Sequence, residues 1–278
     1  MSLSQLTIYG AGLIGGSIAH FARNHGLCER LVAIDTQAPH PSDPKELFDD
    51  WAVTPEEQKR ALRDSELTMM CVPVRAIIDQ LPLVLAQTDG VVSDCGSTKT
   101  AICRAVLAHP GRERFVAGHP MAGHPEGGLM NASQDLFHGR RWILCPEGSS
   151  AHALGLVQQL VLSLGAHVVR LKDTEHDASV AWTSHVPQVV ASTLSVYAHQ
   201  NDALKAAGPG FASATRVAGG AEAMWGDIFG TNSEAIGRSL SQVGRALSEL
   251  GEQLQAGDAG GTMDILAQAR AVRALQPK

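Results

Sequence analysis

The chain has 278 residues, is 44% hydrophobic and carries a formal charge of −6, which is ample apolar content for one large or two ordinary folded units. It lacks the basic stripe that nucleic-acid binding needs, and no apolar run approaches the roughly 18 to 20 residues of a membrane span. The first apolar stretch is interrupted by Gly10, Gly12, Gly15 and Gly16 with no basic residue ahead of it, unlike a secretory leader, so a cytoplasmic protein is expected. None of the five cysteines is spaced like a zinc knuckle or redox pair. Cys71, Cys95 and Cys145 fall in apolar runs and read as free core thiols in a reducing compartment.

Leu6–Tyr9 is a short apolar run ending in Gly10, and Leu13–Arg23 then has a helical rhythm. Leu31–Ile34 is a second strand, closed by Asp35. Residues 36–54 carry Pro39, Pro41 and Pro44 and read as loop with one short helical piece. A charged helix is expected over Pro55–Asp64, a buried strand over Leu67–Val72 ended by Pro73, and a helix over Ala76–Leu85 in which Pro82 is a breaker. Gly90–Asp94 is a strand, Thr98–Ala108 a helix capped by Thr98 or Ser97, and Phe115–Ala117 and Trp142–Cys145 are strands. This alternation predicts a parallel sheet with helices on both faces. After Pro146 the pattern turns helical, roughly over 151–164, 173–200, 203–222, 232–256 and 262–275, with one strand at His167–Leu171. The expected fold is α/β: an N-terminal Rossmann-type doubly wound sheet over 1–148 and an all-helical domain over 149–278, divided at Gly148-Ser149-Ser150. Helices this long and apolar are expected to bury their faces against a second copy of the chain, giving a homodimer.

Gly10-Ala11-Gly12-Leu13-Ile14-Gly15 is G-x-G-x-x-G between a strand and a helix. Gly10 permits the tight turn, Gly12 lets the backbone approach a pyrophosphate, and Gly15 lets helix and strand pack closely. The helix N-terminus at Leu13 and Ile14 offers N–H groups and a favourable dipole to phosphates. Asp35 ends the next strand, 20 residues after Gly15, where an acid accepts hydrogen bonds from ribose hydroxyls and repels a 2′-phosphate. The cofactor is therefore expected to be NAD rather than NADP. Val72 and Pro73, at the end of the third strand, are counted with the cofactor site.

Two further segments follow strands: Ser93-Asp94-Cys95-Gly96-Ser97-Thr98-Lys99 and Gly118-His119-Pro120-Met121-Ala122-Gly123. In an open parallel sheet both face the crevice at the strands' carboxyl ends. With the glycine loop, Leu136-Phe137-x-Gly139, Ser184-His185-x-Pro187, Thr215-Arg216 and Met224-Trp225-x-Asp227-Ile228, they form an ordered set in which the chain resembles the prephenate dehydrogenase (TyrA) family, over about residues 6 to 230.

The resemblance implies an NAD-dependent oxidoreductase of tyrosine biosynthesis that converts prephenate to 4-hydroxyphenylpyruvate. Hydride passes from ring C4 to the nicotinamide as the ring carboxylate leaves. Aromatisation supplies the driving force, so no metal is implied. By the same resemblance His119 is the base or hydrogen-bond acceptor for the C4 hydroxyl. Ser97 bonds near that hydroxyl and orients the histidine, Arg216 binds a substrate carboxylate, and His185 lines the substrate pocket. Lys99 reads as structural or electrostatic and Trp225 as a packing anchor.

The match departs at His124-Pro125-Glu126, where the family has Thr or Ser and often Glu. This segment borders the substrate's side-chain end, so His124 is a candidate contact for the side-chain carboxylate. It also leaves arogenate, either substrate of a cyclohexadienyl enzyme, and 4-amino-4-deoxyprephenate open. A 3-hydroxyacid or phosphogluconate type of dehydrogenase would use a second-domain lysine as base, and residues 173–200 contain none. A non-enzymatic dinucleotide sensor would have no need of Ser97, His119, His185 and Arg216 together.

Overall fold

Runs such as Leu31–Ile34 and Leu67–Met70 are apolar at almost every position, the pattern of strands covered on both faces. In the computed structural model, which describes residues 2–40, 44, 46–124 and 126–274, they belong to a mostly parallel sheet. Its strands are β1 (Leu3–Tyr9), β2 (Cys28–Ile34), β3 (Asp50–Ala52), β4 (Leu67–Met70), β5 (Val91–Asp94), β6 (Phe115–Pro120), β7 (Arg141–Cys145) and β8 (His167–Arg170). Their order is β3-β2-β1-β4-β5-β6-β7-β8. The chain leaves β1 toward β2 on one side and later returns to place β4 on the other. The β1/β4 boundary is thus a topological switch point, where a ligand crevice forms.

Helices α1 (Leu13–Asn24), α2 (Pro55–Arg63), α3 (Val74–Gln87), α4 (Thr100–Ala105) and α5 (Ala151–Ser163) cover the sheet. Ile18 and Ala22 of α1 share one core with Val157 and Leu160 of α5. Leu62 of α2, Ile77 and Leu81 of α3 and Ile102 of α4 build the core on the opposite face. Helix α2 starts at a capping box, in which Thr54 accepts from the Glu57 N–H and Glu57 accepts from the Thr54 N–H.

Several expectations are corrected. Helix α3 runs through Pro82, because Ile77, Leu81, Val84 and Leu85 are buried on the sheet and that packing outweighs one missing N–H. The described part of 36–54 adds the edge strand β3 beside β2 rather than a helical piece; residues 41–43 and 45 lie outside the described residues. Strand β7 is antiparallel to β6, since the described residues of the connection between them hold a single-turn helix, Leu129–Asn131, and no crossover helix. Strand β8 pairs parallel with β7 and α5 packs into the sheet core. The division expected at Gly148–Ser150 therefore moves to about Leu171: residues 149–170 complete the sheet layer instead of opening the helical unit.

The helical unit contains α6 (Asp173–Val180), a π-helical turn (Ala181–His185), α7 (Val186–Gln200), α8 (Pro209–Thr215), α9 (Glu222–Thr231), α10 (Ser233–Gln255) and α11 (Gly260–Ala274). The single helix expected over 203–222 is broken into α8 and two short 3-10 turns. Gly208-Pro209 and Gly219-Gly220 interrupt it. Among the described residues no helix is long and apolar enough to cross a membrane. All five cysteines are free thiols, and burial pushes Cys103 and Cys145 up to about 12.

Candidate active site

The glycine loop has the shape its sequence requires. Gly10 sits at φ +100°, and a Cβ there would lie 2.6 Å from Val72 Cγ1 and 2.9 Å from the Cys71 carbonyl. A Cβ on Gly15 would lie 2.2 Å from the Gly10 carbonyl. At Gly12 a Cβ would meet nothing within 4 Å, so the backbone is open to an approaching group. Asp35 braces the loop: its Oδ2 accepts the Ala11 N–H at 3.0 Å and its Oδ1 the Thr36 N–H at 2.7 Å. Oδ1 also accepts the Thr36 hydroxyl at 3.4 Å, which leaves Oδ2 with a lone pair for a ribose hydroxyl. Helix α1 has no side-chain cap at Gly12, so its first N–H groups, including those of Leu13 and Ile14, are available to an anion. Val72 lies against Gly10, and Pro73 begins α3. These residues fit the pyrophosphate and ribose of a dinucleotide.

The loop after β5 is held by a buried charge pair. Lys99 and Asp94 are fully buried and paired, and Lys99 Nζ also donates to the Gly118 carbonyl at 2.7 Å. Asp94 accepts the N–H of Gly96 at 2.8 Å and of Gly118 at 3.0 Å. A Cβ on Gly118 would lie 2.7 Å from the Asp94 carbonyl. The clamp thus ties β5 to the residue preceding His119, which makes Lys99 an internal support.

His119 lies near the carboxyl end of β6, on the crevice side of the sheet. Its Nδ1 is 2.8 Å from Nε2 of His176 on α6. His176 Nδ1 lies 2.8 Å from Asp177 Oδ1. That carboxylate also accepts the N–H of Lys99 at 2.7 Å and of Thr100 at 2.9 Å. It caps α4 from another element, in place of the Ser97 or Thr98 cap expected; Thr98 Oγ1 instead lies 2.8 Å from Thr231 Oγ1. Burial, with His176, Lys99 and His185 nearby, pushes the His119 imidazole well below its ordinary value. Burial pushes the Asp177 carboxyl up, but the bonds from His176, Thr100 and Lys99 prevail and hold it below its ordinary value. His119 is therefore a neutral imidazole and Asp177 a carboxylate at neutral pH.

The other candidates are placed unevenly. Ser97 is half-buried in the loop between β5 and α4, and no hydrogen bond joins it to His119; the imidazole's partner is His176. His185 is 1% exposed, packs edge-on against Trp225 and lies 3.3 Å from Asn232 Nδ2. Burial lowers it to about 4, with Asp177 opposing and His176 assisting. Because Asn232 donates to Nδ1, His185 carries its hydrogen on Nε2. Arg216 is exposed at the start of the turn after α8, and among the described residues it has no ion pair. His124 is exposed and turned onto its own loop, its Nδ1 3.2 Å from the Glu126 N–H; Pro125 lies outside the described residues. Sequence reasoning missed His176, Asp177 and Asn232. The visible signal was the adjacent His176-Asp177 pair opening the helix that carries His185.

A dinucleotide-type sheet, a helical second unit and a histidine at the seam define a two-domain protein of the nucleotide-dependent dehydrogenase class. The model of the "Prephenate dehydrogenase, nucleotide-binding domain" matches residues 18–170, and that of the "Prephenate dehydrogenase, dimerization domain" matches 172–268. The chain belongs to the prephenate dehydrogenase family. A prephenate dehydrogenase of Bacillus subtilis is 29% identical over 243 residues, 83% of this chain; the chain spans only 65% of that relative's length. The structure of an A. aeolicus prephenate dehydrogenase in complex with hydroxyphenyl propionate and NAD+ has a TM-score of 0.86 at 23% identity, covering 99% of this chain and 98% of that one. Synechocystis arogenate dehydrogenase gives 0.79 at 25% identity, covering 97% and 99%.

Proposed function

We propose that this protein catalyses the NAD+-dependent oxidative decarboxylation of prephenate to 4-hydroxyphenylpyruvate. The observation that carries the reading is His119: a neutral imidazole whose Nδ1 is engaged, at the carboxyl edge of the same sheet as the glycine loop. Its Nε2 accepts the hydrogen bond of the C4 hydroxyl and draws electron density toward the ring as hydride leaves C4. The bond to the ring carboxylate breaks, and its electron pair enters the ring as CO2 departs. The hydroxyl remains as the phenol, so prephenate dianion and NAD+ give hydroxyphenylpyruvate anion, CO2 and NADH with no net proton. When bound, the nicotinamide supplies the hydride acceptor.

The remaining residues bind and orient. Gly10, Gly12, Leu13, Ile14 and Gly15 cradle the pyrophosphate, and Val72 and Pro73 border it. Asp35 takes the ribose hydroxyls and disfavours a 2′-phosphate. Arg216, uncommitted to any described partner, takes a substrate carboxylate in a two-pronged bond. His185 offers Nε2–H to the substrate pocket, Ser97 lies at the hydroxyl end, and His124 lies at the side-chain end. A C4 hydroxyl, rather than an amino group, suits a neutral acceptor at His119.

The working form is a homodimer joined through the helical unit. Among the described residues the buried members of its own core cluster are Ala181, Ile228 and Ile236, with Trp225, Ala235 and Leu240 packed against them, while Leu194, Tyr197, Phe229, Leu247 and Leu254 are exposed on its helices, apolar side chains that a partner's helices would cover. Purified protein with NAD+ is expected to form NADH with prephenate faster than with arogenate. Measurable NAD+ binding with no NADH from prephenate would overturn the assignment, and faster turnover of arogenate would change the substrate.

A further inference from the structure

The geometry points to His176 as the positioning residue that decides which nitrogen of His119 faces the substrate. This rests on His119 being the acceptor described above. An ionised carboxylate only accepts hydrogen bonds. Asp177 takes the N–H groups of Lys99 at 2.7 Å and Thr100 at 2.9 Å, and its Oδ1 lies 2.8 Å from His176 Nδ1. The hydrogen between Asp177 and His176 therefore sits on His176 Nδ1. In the neutral ring, Nε2 of His176 is then a lone pair, and it lies 2.8 Å from Nδ1 of His119. One hydrogen must lie between these two nitrogens, and His176 has none to give. His119 supplies it from Nδ1, and its Nε2 is left as the acceptor the reaction requires.

The opposite tautomer would present Nε2–H to the C4 hydroxyl and could not draw on its proton. The alignment is rigid. His176 is fully buried, so water does not replace it. Asp177 is fixed on one side by the N–H groups of Lys99 and Thr100 and on the other by Asn232, whose Nδ2 donates to the Asp177 carbonyl at 2.8 Å. The charged and titratable groups facing His119 are His176, Lys99 and His185; those bonded to His176 are His119 and Asp177. The polar chain runs from α4 through α6 to β6, so docking of the helical unit on the sheet is what sets the tautomer.

Two substitutions separate the two bonds of His176. In His176→Asn the amide reaches only the position of Nδ1: it can donate to Asp177 but cannot reach His119. In His176→Gln the amide reaches the position of Nε2, where its carbonyl can accept the His119 Nδ1–H. With NAD+ and prephenate, His176→Asn is expected to lower kcat about 100-fold, with KM for both within about 3-fold of the parent. His176→Gln should recover to within about 10-fold of the parent. Nitrogen NMR of the histidine side chains in the resting parent protein should show the His119 hydrogen on Nδ1, and in His176→Asn a shift toward Nε2. A parent His119 carrying its hydrogen on Nε2 would overturn the proposal, with no variant needed. Equal kcat losses in the Asn and Gln variants would also overturn it. The NMR result stands without turnover, so a parent with Nδ1–H but no activity on prephenate would refute the assigned reaction and leave the tautomer control standing.

Discussion

Replacing Lys99 by Met removes the ammonium from a fully buried pair and leaves the Asp94 carboxylate behind. Asp94 would keep only the N–H bonds of Gly96 at 2.8 Å and Gly118 at 3.0 Å. Breaking a buried pair from one side costs about 3–5 kcal/mol, because the remaining charge is uncompensated. For a unit the size of the sheet layer, each kcal/mol lowers Tm by about 2–4 °C, so a fall of about 10 °C is expected. The Lys99→Met, Asp94→Asn double variant removes the stranded charge and should be less destabilised than the sum of the single changes, with a coupling of at least about 2 kcal/mol. Calorimetric unfolding of the four proteins of this cycle measures both quantities. A Lys99→Met protein within about 1 kcal/mol of the parent, or strictly additive single effects, would refute the clamp's role.

Gly15→Ala would force a Cβ to 2.2 Å from the Gly10 carbonyl, a backbone atom that cannot swing aside. The loop must open, and NAD+ affinity by calorimetric titration should fall at least about 10-fold; an unchanged Kd would contradict the cradle. His185 gives a pH signature. Its folded value of about 4 lies below the ordinary 6.5, so on acidification the unfolded state takes up the proton first. The stability from keeping His185 neutral is fully present above about pH 6.5 and is lost as pH falls toward about 4. Urea midpoints across that window should fall less steeply in His185→Gln than in the parent, and parallel slopes would contradict the assignment.

The glycine loop and the strands around it were legible because their information is local. A turn needing φ > 0 at Gly10 and a close packing at Gly15 leave glycine as the residue that fits, and apolar runs announce buried strands. Asp35 and His119 were legible for the same reason, each lying at the end of a recognisable strand. What stayed hidden depends on pairings distant in the chain. Strand β8 falls within the strand expected at His167–Leu171, but its place in the same sheet shows only in its pairing with β7. The capping of α4 by Asp177 joins positions 78 and 77 residues apart, so Ser97 and Thr98 looked like the natural caps. Ser97 was likewise expected beside the histidine, a place held by His176 from another element. Pro82 looked like a stop because propensity reads the helix alone, without the sheet it packs against.

The most direct measurement is the rate of NADH formation from prephenate and NAD+ by the parent and by His119→Asn, with NAD+ affinity measured alongside. Loss of the hydrogen-bond acceptor should lower kcat by about 100- to 10,000-fold while NAD+ binding stays within about 3-fold, since His119 serves the substrate hydroxyl and not the cofactor cradle. A His119→Asn protein that still turns over prephenate at a rate close to the parent's would contradict the account, because the neutral imidazole at the end of β6 would then not be the group that draws on the C4 hydroxyl.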